Sequence, residues 1–197
     1  MKFVLASASP RRRQLLEPFD IEWQVMPASI DETPLPSETP EVYVERMSQE
    51  KAFCVSSKLS GDRVVLAADT IVVQNKAILG KPSCDKEAFE TLAKLSGSTH
   101  KVLTAFSIHL SRESAPIQFG RCVETQVAFR CLSPAEIENY LSTGEHRDKA
   151  GSYGIQGLAG CFVEEINGSY SNVVGLPLSQ LLQCLRADCA IPMQFKS

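Results

Sequence analysis

Val64-Val65-Leu66-Ala67-Ala68, interrupted only by Asp69-Thr70 and resumed as Ile71-Val72-Val73, is the stretch that most constrains this chain. An apolar run without alternation is the mark of a strand covered on both faces, and a sheet with layers on both sides belongs to the α/β class. Asp69 breaks that run. A carboxylate ending a buried segment is placed at the rim of the sheet, where α/β proteins seat ligands, and is suited to hold a metal or deprotonate water. A turn-making Asp would lead into loop, whereas here the apolar run continues.

Ser7-Ala8-Ser9-Pro10-Arg11-Arg12 is the second constraint. Phe3-Val4-Leu5-Ala6 reads as a short buried strand, and Gln14-Leu15-Leu16 as the start of a helix's apolar face. Ser9 is the expected N-cap with Pro10 at the first helical position, which puts Arg11, Arg12 and Arg13 in the first turn. That turn carries partial positive charge and disfavours each added cation by about 0.3–1 kcal/mol. Arginines clustered there suggest an anionic ligand, and the strand, hydroxyl-rich turn and helix start together resemble a phosphate cradle. Side chains that simply point to solvent are the competing reading, which is favoured for Arg13.

The rest of the chain supplies further charged groups. Glu22 to Met26 reads as a strand, followed by a polar loop from Pro27 to Glu38 that contains Asp31-Glu32. Thr39-Pro40-Glu41 opens a long helix whose inner face would carry Val44, Met47, Lys51 and Cys54. An inward lysine needs an anionic partner. Gln74-Asn75-Lys76 reads as a hairpin turn returning through Ala77-Ile78-Leu79 to Gly80-Lys81-Pro82, where Lys81 would present a point charge to phosphate. Ala88, Phe89, Leu92 and Ala93 give the next helix its buried face, stopped by Gly97. Phe106, Ile108 and Leu110 alternate along one strand and Val123, Thr125, Val127 and Phe129 along another, an antiparallel pair joined around Glu113 to Pro116. Ser133-Pro134-Ala135-Glu136 is a capping box that turns Ile137, Tyr140 and Leu141 inward.

Asp148 to Gly157 is rich in glycine, and Lys149, Tyr153 and Gln156 read as spaced reactive groups on a loop whose amides can approach a ligand. Cys161 to Ile166 is a strand, and Asn167-Gly168 predicts a hairpin turn into Ser169-Tyr170-Ser171-Asn172. Leu178, Leu181, Leu182 and Leu185 form the apolar stripe of a last helix, and the tail after Cys189 reads as loose.

The 197 residues suffice for one substantial core, or for one domain split into two lobes around a cleft. A formal net charge of −3 leaves no basic surplus for a nucleic-acid duplex. No stretch has the length of a membrane span or a signal-peptide core. The seven cysteines show no C-x-x-C pair and are odd in number, as reduced thiols would be, and a cytoplasmic protein is expected. Cys84 lacks a nearby histidine to activate it, and the three histidines have no metal-ligand spacing.

Taken together, Ser7 to Arg12, Ala68-Asp69-Thr70, Gly80-Lys81-Pro82, Asp148 to Gly157 and Asn172-Val173-Val174-Gly175-Leu176-Pro177 closely resemble the Maf family of nucleoside triphosphate pyrophosphatases, in the family's order and over essentially the full length. The resemblance implies a single domain over 1–197. Its fold would be like that of the inosine triphosphate pyrophosphatases, with a long mixed sheet flanked by helices and two lobes around a cleft. It implies cleavage between the α and β phosphates with a divalent cation, magnesium or manganese. Asp69 would then accept the proton of water, and Glu32 would share the metal with Asp69 or position that water. Lys81 would act with them, and Ser7, Ser9, Arg11, Arg12, Lys51, Thr70, Lys149 and Gln156 would bind the substrate. A homodimer is expected on the same ground.

Arg11, Thr70 and Gln156 match the family pattern associated with dTTP and UTP, where a neutral amide can pair with a uracil or thymine edge. The alternatives are 7-methyl-GTP as substrate, for which the family carries a carboxylate in place of Gln156, and a regulator of septum formation that binds nucleotide without turnover. The intact Asp69, Lys81 and Glu32 weigh against the latter.

Overall fold

The computed structural model describes residues 1–111 and 117–196, so the expected loop around Glu113 to Pro116 lies outside the described residues. The elements are β1 (Lys2–Leu5), α1 (Pro10–Leu16), β2 (Trp23–Val25), α2 (Pro40–Ser56), β3 (Arg63–Gln74), β4 (Ala77–Leu79), α3 (Asp85–Leu95), β5 (Thr99–Ser111), β6 (Ile117–Phe129), α4 (Pro134–Ser142), β7 (Val163–Asn167), α5 (Tyr170–Val174) and α6 (Leu178–Ala187). The strands form one mixed seven-stranded sheet in the order β2-β1-β3-β5-β6-β7, with β4 added to β3. β1 runs parallel to β2 and β3, and the other pairings are antiparallel.

β3 is the spine of this sheet. On one edge it pairs with β5 from Arg63↔Ser111 to Val73↔Lys101. On the other, β1 covers Arg63 to Leu66 and β4 covers Val72 to Gln74. The β3–β4 turn is made by Asn75 and Lys76, both at positive φ (49° and 67°), which matches the twist of a two-residue hairpin. Between β1 and β4, residues 67–71 have no strand partner on that edge among the described residues. That gap locates the site.

Both faces of β3 are covered, as an apolar run without alternation requires. On one face α2 packs over the sheet, its Val44, Met47, Ala52 and Val55 meeting Val65, Ala67, Ile71 and Val73. The opposite face carries two cores. In one, Val64, Leu66, Ala68, Phe106 and Ile108 pack with α1 and α6 through Leu16, Leu181 and Leu185. In the other, Val72, Val102, Val127 and Phe129 pack with α3 and α4 through Leu92, Ile137 and Tyr140. These two cores form two lobes that share β3 and β5, so Phe106 and Ile108 belong with Leu16 of α1 and not to a lobe apart from the N-terminal elements. Phe106, 1% exposed, anchors the first, and truncating it to Ala would cost about 3–5 kcal/mol.

Several local expectations change. Asp69 lies within its strand, as the resumed apolar run implied, and not at the rim of the sheet: its pairing with Ala105 continues the β3–β5 ladder, because β5 supplies partners well past it. In α3 Ala93 is exposed and Leu95 takes the inner position. Ser9 is the N-cap of α1 by position, but its side chain makes no capping bond, and its own N–H donates to Ser7 Oγ at 3.2 Å. Asn167-Gly168 does not lead into a second strand. Ser169 instead caps α5, accepting from the Asn172 N–H at 3.3 Å while its own N–H donates to Thr125 Oγ1 at 3.0 Å. Gly168, at φ 133°, permits that approach, since a Cβ there would meet Thr125 at 2.8 Å.

The tail is docked rather than loose. Cys189 and Ile191 are buried, Phe195 stacks on Phe19 at 5.3 Å, and the Lys196 N–H donates to the Pro18 carbonyl at 2.9 Å.

Candidate active site

A cleft of about 600 Å³ opens at the gap between β1 and β4. Ser7, Ser9, Arg11, Arg12, Glu32, Lys51, Asp69, Thr70, Lys81, Lys149 and Gln156 all line it. These side chains are brought to one place by elements far apart in the chain, whereas Arg13, Asp31 and Cys84 do not line the cleft.

Lys51 points inward from α2, as its position on the apolar stripe predicted. Its Nζ lies 2.6 Å from Asp69 Oδ1 and 2.8 Å from Glu32 Oε1. Burial pushes the Glu32 carboxyl up, but the hydrogen bond and charge of Lys51, with the charges of Lys81 and Arg12, outweigh it and hold the group below its ordinary value. Two further residues of α2 hold the Glu32 loop. Tyr43 donates its hydroxyl to the Glu32 carbonyl at 2.8 Å. Arg46 grips Glu38 through Nε and Nη2, both at 2.7 Å, and donates from Nη2 to the Thr33 carbonyl at 3.1 Å. That two-pronged bond holds the Glu38 carboxyl down at about 2. Sequence reasoning missed Tyr43 and Arg46, although their i, i+3 spacing, which makes them neighbours on α2, was a usable signal.

Arg12 faces the cleft from α1, while Arg13 lies on the surface beside Glu17 at 3.7 Å. Arg12 donates from Nε to the Gly175 carbonyl (2.8 Å), from Nη1 to Ser7 Oγ (3.0 Å) and from Nη2 to Thr70 Oγ1 (3.0 Å). These acceptors are all neutral. Burial lowers the Arg12 pKa and Arg11 adds to the effect, with Asp69 and Glu32 opposing. A cation so placed is short of anionic partners, which favours an anionic ligand.

The far wall comes from the glycine-rich stretch. Asp148 meets Arg11 at 3.4 Å and Lys149 at 2.7 Å, so Arg11 and Asp148 join opposite sides of the cleft. Lys149 also donates to the Glu145 carbonyl, an engagement within its own loop. Gln156 and Lys81 are exposed at the rim. Tyr153 is not an open reactive group: it is 6% exposed, its ring packs on Phe129 at 4.8 Å, and its hydroxyl lies 2.8 Å from His100 Nε2. Downstream of Gln156, the Leu158 N–H donates to Glu145 Oε2 at 2.9 Å. Gly157 is required by that brace, because a Cβ there would lie 2.2 Å from Glu145 Oε1.

Among the described residues no three His, Cys, Asp or Glu side chains gather as a metal-binding group. Of the three carboxylates that line the cleft, Asp148 is paired with Arg11 and Lys149 on the far wall, which leaves Glu32 and Asp69, without nitrogen or sulfur ligands beside them, as the donors. That set fits a hard cation such as magnesium, which keeps waters and takes oxygen from substrate phosphates instead of a full protein cage.

Fold and cleft define an α/β protein that sets a buried cation and a carboxylate side by side at an open strand edge. The chain belongs to the Maf family, whose model, described as Maf-like protein, matches residues 2–188. It is 48% identical over 186 residues to a dTTP/UTP pyrophosphatase of Alcanivorax borkumensis, covering 94% of each chain. It is 47% identical over 185 residues to a dTTP/UTP pyrophosphatase of Anaeromyxobacter dehalogenans, covering 94% of this chain and 93% of that one. A HAM1 protein from Coxiella burnetii shows a partial structural likeness, with a TM-score of 0.40 and 18% identity over 65% of this chain and 73% of that one. No helix among the described residues is long and apolar enough to cross a membrane.

Proposed function

We propose that this chain is a nucleoside triphosphate pyrophosphatase that hydrolyses dTTP and UTP to the monophosphate and pyrophosphate. The observation that carries the reading is the convergence of Asp69, Lys51, Glu32 and Arg12 in one cleft, in a member of a family whose relatives at this identity bear that name. Phosphoryl transfer asks for charge neutralisation and a positioned nucleophile more than for covalent chemistry. Asp69 takes a proton from water as the water oxygen bonds to phosphorus and the α–β bridge breaks, with pyrophosphate leaving. Arg12, Lys51 and Lys81 balance the phosphate charge, Ser7 and Ser9 form the turn beside it, and Lys149 closes the far wall. Glu32 and Asp69 would hold a divalent cation, which supplies further charge neutralisation at the phosphate oxygens.

Gln156, with Arg11, selects the base, a neutral amide suiting a uracil or thymine edge. We take residues 1–197 as one domain, a reading supported by the single sheet. A cytoplasmic setting is proposed because seven cysteines, an odd number with no C-x-x-C pair, suit reduced thiols. A homodimer is proposed on family resemblance, and sedimentation equilibrium tests it.

The deciding experiment is pyrophosphate release, with magnesium or manganese, from dTTP, UTP, CTP, the purine triphosphates and 7-methyl-GTP, beside an Asp69→Asn variant. Release from dTTP and UTP that the variant loses is expected. Nucleotide binding without release would replace the enzyme by a nucleotide-binding regulator.

A further inference from the structure

We propose that Thr104 and Asn172, neither of which lines the cleft, are positioning residues for Arg12, and that Thr70 acts as the relay between them instead of as a partner of the base. The proposal rests on the function above only for what Arg12 holds.

The hydrogen bonds run in a single sense. Arg12 Nη2 can only donate, and it donates to Thr70 Oγ1 at 3.0 Å. At the other end the Asn172 carbonyl can only accept, and it takes the Thr104 hydroxyl at 2.8 Å. Thr70 Oγ1 and Thr104 Oγ1 lie 3.0 Å apart between them. Because the Thr104 proton is committed to Asn172, the bond joining the two threonines must use the Thr70 proton. The order is therefore Arg12 to Thr70 to Thr104 to Asn172. Thr70 has no proton left to offer a substrate.

A second arm returns to the same carbonyl. Arg12 Nε donates to the Gly175 carbonyl at 2.8 Å, and the Gly175 N–H donates to the Asn172 carbonyl at 3.1 Å. Asn172 is itself pinned to the sheet, its Nδ2 donating to the Val102 carbonyl (3.1 Å) and to Thr125 Oγ1 (3.0 Å). Both arms of the guanidinium thus trace to one fully buried residue. Of its five N–H groups, the contacts to Gly175, Ser7 and Thr70 leave two for an anion.

Thr104 and Asn172 are each 0% exposed. On β5, Thr104 stands between Val102 of one core and Phe106 of the other, so the chain of polar groups occupies the waist between the lobes. Polar groups in such a place cost stability unless paired; the Thr104 hydroxyl and the Asn172 backbone carbonyl find their pairing in the chain that leads to Arg12, while Asn172 Oδ1 has no partner among the described residues. The Asn172 to Pro177 motif thereby acquires a role: it presents the Gly175 carbonyl to the arginine.

The test uses the whole chain and two probes. Inorganic pyrophosphate binding with magnesium is measured by titration calorimetry for the wild type, Thr104→Val, Thr104→Ser, Thr70→Val and the Thr70→Val/Thr104→Val double variant, with melting midpoints recorded for each. KM and kcat for dTTP and CTP are measured alongside. Thr104→Val should weaken pyrophosphate binding about tenfold and Thr104→Ser should restore it to within about twofold, since only the hydroxyl is needed. The double variant should bind no more weakly than Thr70→Val alone, as both changes break one chain. Thr70→Val should affect dTTP and CTP equally and leave their selectivity ratio unchanged.

Wild-type binding by Thr104→Val, multiplying losses in the double variant, a selectivity change in Thr70→Val with pyrophosphate binding intact, or a wild type that binds no pyrophosphate would each overturn the proposal. A wild type that binds pyrophosphate but turns over no triphosphate would defeat the proposed function and leave the relay to be judged by the pyrophosphate titrations.

Discussion

Lys51 Nζ lies 2.6 Å from Asp69 Oδ1, the two side chains only 11% and 13% exposed, so α2 and β3 hold a cation and a carboxylate together inside the protein. Removing one partner of such a pair commonly costs about 3–5 kcal/mol, because the other is left uncompensated. Asp69→Asn keeps an acceptor for Lys51 and leaves Glu32 beside it. The variant is expected to fold with a melting midpoint near that of the wild type while pyrophosphate release falls about 10²–10⁴-fold, the usual worth of a general base. Single-turnover assays with calorimetric melts check this; a variant retaining most of its turnover would remove Asp69 from the proposed role.

Gln156→Glu places a carboxylate where the amide would meet the base. The rate with 7-methyl-GTP relative to dTTP should rise about tenfold or more, since a negative group suits the methylated, cationic guanine and repels the pyrimidine carbonyls. Relative rates across the substrate panel decide it, and an unchanged ratio would end the account of base selection.

Tyr43→Phe removes only the hydroxyl that holds the Glu32 carbonyl at 2.8 Å. Stability should drop by about 0.5–1.5 kcal/mol. With the carboxylate less well placed, kcat should fall roughly fivefold, equivalent to about 1 kcal/mol, with KM nearly unchanged. Arg46→Ala should do the same more strongly, because it frees both Glu38 and Thr33. A change confined to KM would mean that the loop binds substrate without serving the chemistry.

His100 gives the protein an acid-sensitive point away from the cleft. Burial pushes its imidazole down to about 4 from an unfolded value near 6.5. As pH falls below about 6.5 the unfolded chain takes up the proton first, so this contribution is complete above that pH and is lost toward pH 4, by up to about 3 kcal/mol. His100→Gln should therefore lose less stability than the wild type between pH 6.5 and 4. Denaturant melts across that range measure the difference, and parallel curves would exclude His100 as the source.

The residues of the cleft were legible because their local settings are unusual: arginines in a helix's first turn, an inward lysine on α2 and a carboxylate inside the β3 run. Each breaks a local rule, and such breaks gather where a ligand belongs. What stayed hidden depends on packing between distant segments. Tyr153 looked available until Phe129 and His100 were folded around it. Asn167-Gly168 has the composition of a hairpin turn, yet Thr125 across the sheet draws Ser169 into a cap. The docked tail depends on Phe19, whose place could not be known from residues near Phe195.

Asp69 and Thr70 are consecutive in β3 and so face opposite sides of the sheet: one reaches Lys51 beneath α2, the other reaches Thr104 and Arg12. A cleft built this way depends on parity. One residue inserted or deleted between Arg63 and Ala68 would exchange the two faces, turning the carboxylate toward the threonine chain and the hydroxyl toward Lys51, even where the apolar run still made a tolerable strand. Changes of length should thus be more damaging in this segment than any single apolar substitution, and a library of one-residue insertions scored for both solubility and turnover should contain β3 variants that remain folded and are inactive.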